Sequence, residues 1–224
     1  MNASIDLSAS VALVTGASRG LGRALAQRLG AAGAHVIATA RTVGGLEELD
    51  DAVRAAGGPA PTLVPLDLTA EDGLERLGAA IHDRWGRLDL LVHAAAHAAP
   101  LSPAEHLDPK VWARCMEVNA RGTQRLIACA EPLLRAAPAP RAAFFADQVN
   151  RGPFHAAYAA SKAAAEVVVA AWAQESARKP LTVLSLTPPA MATALRARFH
   201  PGEPRDPLAT PEAAAEALWP ELIG

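Results

Sequence analysis

Tyr158 and Lys162 stand four positions apart in the run Tyr158-Ala159-Ala160-Ser161-Lys162, inside an alanine-rich stretch with a strong helical pattern. That spacing places both side chains on one helical face, about 6 Å apart. A phenol beside an ammonium group is a primed acid. The positive charge favours the phenolate and is expected to lower the tyrosine pKa from about 10, so that one group can exchange a proton with an alcohol or carbonyl near neutral pH. The pair also occurs on ordinary surface helices, so its company decides what it means.

That company begins with Thr15-Gly16-Ala17-Ser18-Arg19-Gly20-Leu21-Gly22, which follows the apolar run Val11–Val14 and precedes the helical pattern Leu21, Leu25, Leu29. A strand turning into a helix through three glycines brings bare backbone N–H groups and the positive end of a helix dipole to one point, which suits a pyrophosphate. Gly16, Ser18, Arg19, Gly20, Leu21 and Gly22 are the expected contacts. In dinucleotide folds an Asp or Glu at the end of the second strand takes the ribose 2′-hydroxyl of NAD. Here that place reads Ala40-Arg41-Thr42. With no acid available, the guanidinium forks of Arg41 and Arg19 suit a 2′-phosphate, and NADP(H) is expected in preference to NAD(H).

These residues must be held by alternating elements. Strand-like runs at Ser10–Val14, His35–Ala40, Leu63–Leu66, Leu88–His93, Ala142–Ala146 and Leu181–Leu186 alternate with helical patterns at Leu21–Ala32, Leu46–Ala55, Leu74–Trp85, Lys110–Leu134 and Ala156–Arg178. Such alternation predicts parallel βαβ units in an α/β, three-layer α/β/α, doubly wound sheet of the Rossmann kind, with ligands beyond the carboxyl ends of the strands. Pro132 and Pro138-Ala139-Pro140 read as a helix stop before the fifth strand. Residues 1–224 form one expected unit. Residues 187–209 are irregular and lid-like, and Thr210-Pro211 starts a last helix.

Composition bounds the partners. With 51% hydrophobic residues in 224 and a net charge of −2, the chain lacks a basic stripe for nucleic acid, and a small molecule is the expected partner. No apolar stretch approaches the ~20 residues a bilayer needs, so no membrane partner is expected. The stretch Met1–Asp6 has no basic region of a secretory signal, so a cytoplasmic location is expected. Cys115 and Cys129 fall in one predicted helix, about 21 Å apart at 1.5 Å per residue, too far for a disulfide. His93, His97 and His106 lack metal-site spacing, and no metal is expected.

Taken together, T-G-x-x-x-G-x-G at Thr15–Gly22, Asp67-Leu68 after the third strand, Asn119 in Val118-Asn119-Ala120, and Tyr158-Ala-Ala-Ser-Lys162 resemble the short-chain dehydrogenase/reductase family across nearly the whole chain. The resemblance implies a nicotinamide dinucleotide cofactor and hydride transfer between it and a carbonyl or secondary alcohol. It makes Tyr158 the proton donor or acceptor and Lys162 the group that holds the nicotinamide ribose. Asn119 would anchor a water in the proton relay and Asp67 would meet the adenine. Leu68, Ala94 and Ala95 join the cofactor contacts, while Met191 and Thr193 lie by the nicotinamide amide.

Three departures from that pattern stand out. The serine expected about 13 residues before the tyrosine is absent: the count lands on Phe145, or on Asp147 if the loop is two residues shorter, with Gln148 beside it as a neutral donor. The family's N-N-A-G reads His93-Ala94-Ala95-Ala96, an apparent structural loss. The P-G after the sixth strand reads Pro188-Pro189, and six strands are expected with the usual seventh missing. The sixth strand is then an exposed edge or covered in a homo-oligomer, a dimer or tetramer. The segment Thr193–Thr210 resembles a short lid of a bacterial subgroup whose members mostly lack assigned substrates, and Arg196, Arg198 and His200 there hint at an acidic substrate. Two readings stay open: an NADP(H)-dependent oxidoreductase, or a catalytically impaired dinucleotide-binding protein of the same fold.

Overall fold

The computed structural model describes residues 6–147 and 151–224; the first five residues and Gln148, which figure in the sequence expectations, lie outside them. Six strands, β1 (Val11–Thr15), β2 (His35–Ala40), β3 (Thr62–Pro65), β4 (Leu90–His93), β5 (Arg141–Phe145) and β6 (Thr182–Leu186), form one sheet in the order β3-β2-β1-β4-β5-β6. Every pairing is parallel.

A parallel sheet buried on both faces uses consecutive apolar residues, and alternate side chains serve opposite layers. In β1, Ala12 and Val14 join one core, while Val11 and Leu13 join the other. The first core is closed by α1 (Gly20–Ala31), α2 (Val43–Ala55) and α8 (Pro211–Ile223). The second is closed by α3 (Gly73–Trp85), α5 (Gly122–Arg135) and α6 (Ala156–Glu175). Thr210 caps α8 through Oγ1 with Pro211 in the first turn, as its sequence predicts.

Three expectations need correction. The single helix expected over Lys110–Leu134 is α4 (Pro109–Cys115), then a π-helical segment at Met116–Arg121, then α5. Cys115 and Cys129 thus belong to different helices, and both are free thiols. Pro132 lies inside α5 and does not stop it. The lid-like segment contains a six-residue helix, α7 (Ala194–Phe199), capped by Thr193 and tied at its base by a bridge between Met191 and Ala209.

The order places β1 between β2 and β4, so successive crossovers leave in opposite directions and open a crevice at the strands' carboxyl ends. Two glycines make that crevice passable. A Cβ on Gly16, whose φ is +70°, would lie 2.7 Å from the Ala95 backbone nitrogen, and one on Gly22 would lie 2.4 Å from the Gly16 carbonyl oxygen. Only hydrogen fits at either position.

Candidate active site

A cleft of about 670 Å³ runs along the carboxyl ends of the strands. Its lining gathers the expected cofactor residues Gly16, Ser18, Arg19, Gly20, Leu21, Gly22, Arg41, Asp67, Leu68, Ala94, Ala95, Met191 and Thr193, together with Asp147, Tyr158 and Lys162. The glycine cradle lies at the N-terminus of α1, where backbone donors and the helix dipole favour a phosphate. The residues therefore fit a dinucleotide. Arg19 and Arg41 are exposed, and their guanidinium groups make no hydrogen bond or ion pair among the described residues. The charge of Arg41 is felt nonetheless: burial first, then the charges of Arg114, Arg41 and Arg198, hold His97 below its ordinary pKa.

Asp67, expected beside the adenine, belongs to a more elaborate group than the sequence suggests. Asp67 accepts from the Thr69 backbone and hydroxyl and, through Oδ2, from Arg114 at 2.7 Å. Burial pushes the Asp67 carboxyl up, but the Thr69 hydrogen bonds and the Arg114 guanidinium outweigh it and hold the pKa at about 2. Arg114, on α4, lies 47 positions away and carries no local motif.

Asn119 sits in the π-helical segment, where a widened turn can redirect a side chain. It is buried and fully engaged: Nδ2 donates to the His97 carbonyl and to Ser161 Oγ, and Oδ1 accepts from the His97 backbone. It ties the loop after β4 to α6. Its own carbonyl accepts from Thr123 Oγ1 at 2.6 Å.

The apparent structural loss at His93 is a replacement. Nδ1 lies 2.7 Å from Thr15 Oγ1 and Nε2 lies 2.9 Å from Thr123 Oγ1. Because Thr123 spends its hydroxyl proton on Asn119, it must accept from His93 Nε2–H, so Nδ1 accepts from Thr15. Thr15 in turn accepts from the Ala95 N–H. One ring thereby joins β1, β4 and α5 in a chain of donors pointing one way. Burial first, then the Lys162 charge, drives its pKa down to about 3, so the ring is neutral.

At the cleft floor, Tyr158 donates to Asp147 Oδ2 at 2.9 Å, and Lys162 donates to the Phe145 carbonyl at 2.7 Å. Asp147 thus faces the phenol. The expectation that Lys162 lowers the tyrosine pKa is overturned. Burial first, then the charge and hydrogen bond of Asp147, push Tyr158 above its ordinary 10. Burial also lowers Lys162, while Asp147 and Glu166 oppose that fall. Phe199 of α7 packs on the Tyr158 ring with centroids 4.7 Å apart, so the lid seals the phenol's flank. The hint of an acidic substrate weakens, since Arg196 is spent on both oxygens of Glu203.

A family model for short chain dehydrogenases matches residues 10–204. The chain belongs to the short-chain dehydrogenase family. An uncharacterized oxidoreductase, YciK, of Escherichia coli K12 is 33% identical over 205 residues, spanning 90% of this chain and 81% of the relative. Among solved structures, a short chain dehydrogenase from Pseudomonas syringae superposes with a TM-score of 0.92 at 31% identity, over all of this chain and 92% of the other. A short chain dehydrogenase from Escherichia coli CFT073, complexed with NADPH, superposes at 0.90 with 31% identity, over 98% and 92%. As a short-chain dehydrogenase the chain has a nicotinamide cofactor as its family ligand, and no helix among the described residues is long and apolar enough to cross a membrane.

Proposed function

We propose that the protein is an NADP(H)-dependent oxidoreductase that interconverts a carbonyl compound and an alcohol. The observation that carries this reading is the convergence, in one cleft, of the glycine cradle, Arg41 and Arg19 with Tyr158 and Lys162. The strand end that would carry an acid for NAD carries Arg41, and the NADPH complex of the Escherichia coli relative points the same way. When bound, the nicotinamide supplies or takes up the hydride.

The chain's own residues handle the proton. Tyr158 gives its hydroxyl proton to the substrate oxygen in reduction and takes one back in oxidation. Lys162 holds the nicotinamide ribose and a positive charge beside the phenol. Asn119 fixes the loop that carries His97 against Ser161 and so sets the wall facing Tyr158. Asp147 stands in the place of the missing serine, where a neutral carboxyl can donate to the reacting oxygen and an ionised one repels it. Asp67 would meet the adenine, Leu68, Ala94 and Ala95 would join the cofactor contacts, and Met191 and Thr193 would lie by the amide.

The Tyr158–Asp147 hydrogen bond also favours a second reading, dinucleotide binding without turnover, because it engages the proton the reaction needs. A panel of aldehydes and ketones with NADPH separates the two. Oxidation of NADPH that falls about 100-fold or more in Tyr158→Phe supports the oxidoreductase; tight NADPH binding with no turnover on any of them supports the second reading.

A further inference from the structure

A ketone and an iminium ion put opposite demands on the floor of the cleft. Hydride addition to a ketone builds negative charge on oxygen, which needs a hydrogen-bond donor in the place of the missing serine and a proton from the tyrosine. Here that place holds Asp147, whose charge acts on Tyr158, Lys162 and Arg196. The Tyr158 proton is already donated to Asp147 Oδ2 at 2.9 Å. Phe199, packed on the phenol's flank, keeps the screening of that charge weak. An iminium ion instead brings positive charge into the cleft and loses it as the hydride arrives. It asks for an anion beside its nitrogen and for no proton from the chain.

The other charges of the cleft leave this role to Asp147. Among the described residues the lining carries two carboxylates, and one of them, Asp67, is ion-paired with Arg114 at 2.7 Å. Asp147 faces a neutral phenol. The nearby cations are directed elsewhere: Lys162 donates to the Phe145 carbonyl, Arg196 holds both oxygens of Glu203, and Arg151 pairs with Glu166.

We propose that the cleft also reduces the C=N bond of a cationic iminium compound, with Asp147 binding the charged nitrogen. The activity rests on the oxidoreductase reading for its hydride and goes beyond it in the bond reduced. The iminium carbon takes a hydride from the dihydronicotinamide and is reduced, while the dinucleotide is oxidised. The C=N π pair moves onto nitrogen, which becomes a neutral amine and takes a proton from water after release. No proton leaves the phenol, so the Tyr158–Asp147 hydrogen bond stays closed throughout. Because the positive charge fades as the C–H bond forms, Asp147 acts chiefly on binding, and its effect is expected in kcat/KM through KM.

Permanently charged probes separate charge from protonation. N-methylpyrrolinium and N-methyldihydroisoquinolinium ions are compared with the neutral ketones cyclopentanone and tetralone, each by NADPH oxidation above the uncatalysed rate. The parent is expected to favour the iminium ions at least about tenfold in kcat/KM, the lower end for a charge-assisted contact. Asp147→Asn is expected to remove that preference, and Asp147→Ser to reverse it. Tyr158→Phe is expected to cost the ketones about 100-fold and the iminium ions far less, because only the ketones need its proton. Without cofactor, carbon-13 labelling of the single tyrosine follows binding at the cleft floor by NMR. N-methyltetrahydroisoquinolinium is expected to bind about tenfold tighter than the neutral alcohol tetralol, and to lose that margin in Asp147→Asn. Ketone reduction with no faster iminium reduction, or a preference that Asp147→Asn leaves unchanged, overturns the iminium activity and leaves the oxidoreductase reading standing. Turnover of neither class overturns both.

Discussion

Tyr158 donates its hydroxyl proton to Asp147 Oδ2 across 2.9 Å, so the single tyrosine of the chain meets its substrate already engaged with a carboxylate. In a 2%-exposed phenol this bond and the burial act in the same direction, both favouring the neutral form. Because no other tyrosine contributes, phenolate absorbance in the cofactor-free protein reads this group alone. Ionisation is expected only above the ordinary value of 10, and Asp147→Asn is expected to lower it while burial keeps part of the rise. An unchanged midpoint in that variant would remove Asp147 from the account of Tyr158.

Asp147→Ser tests what the carboxylate does to the chemistry. An ionised carboxylate opposes the negative charge that builds on a reduced carbonyl oxygen, whereas a hydroxyl donates to it; one such donor is worth about 10²–10³ in rate. Steady-state reduction by NADPH at neutral pH is expected to rise at least about tenfold in this variant. A fall would instead identify Asp147 as a neutral donor that the enzyme already uses.

His93 gives the fold a pH dependence of known sign. The ring is held to about 3 in the folded chain and returns to about 6.5 on unfolding, so the folded state disfavours its proton. The stability it supports is fully present above pH 6.5 and is lost as pH falls from there toward 3, at about 1.4 kcal/mol per pH unit. Urea unfolding at pH 7 and pH 5 is expected to differ by about 2 kcal/mol more in the parent than in His93→Asn, in which no ring titrates. Equal pH slopes would show that the ring accepts a proton in place.

The architecture was readable because its signals are local and repeated. Strand positions fell within about two residues at each end, since alternate residues of β1 and β5 must serve two cores and so read as continuous apolar runs. The cradle was readable because a tight turn and a close backbone approach both require glycine. Contacts made across distance were not. His93 looks like a lost asparagine until Thr15 and Thr123, 78 positions before it and 30 after it, close on its two nitrogens. Arg114 has no spacing that joins it to Asp67. The tyrosine pKa was expected with the wrong sign because helical spacing shows Lys162 beside Tyr158, whereas the burial of the ring and the facing Asp147 arise only from the tertiary fold. The π-helical segment left no trace in the hydrophobic periodicity, which runs on through Val118 and Leu126.

The central claim, a dinucleotide site built for a 2′-phosphate, is tested most directly by calorimetric titration of the protein with NADPH and with NADH. Charge-assisted hydrogen bonds from Arg41 and Arg19 to that phosphate are expected to favour NADPH by about 1.5–3 kcal/mol, or roughly 10- to 150-fold in Kd, and Arg41→Ala to remove most of the difference. Equal affinity for the two, or tighter binding of NADH, would contradict the assignment of both arginines.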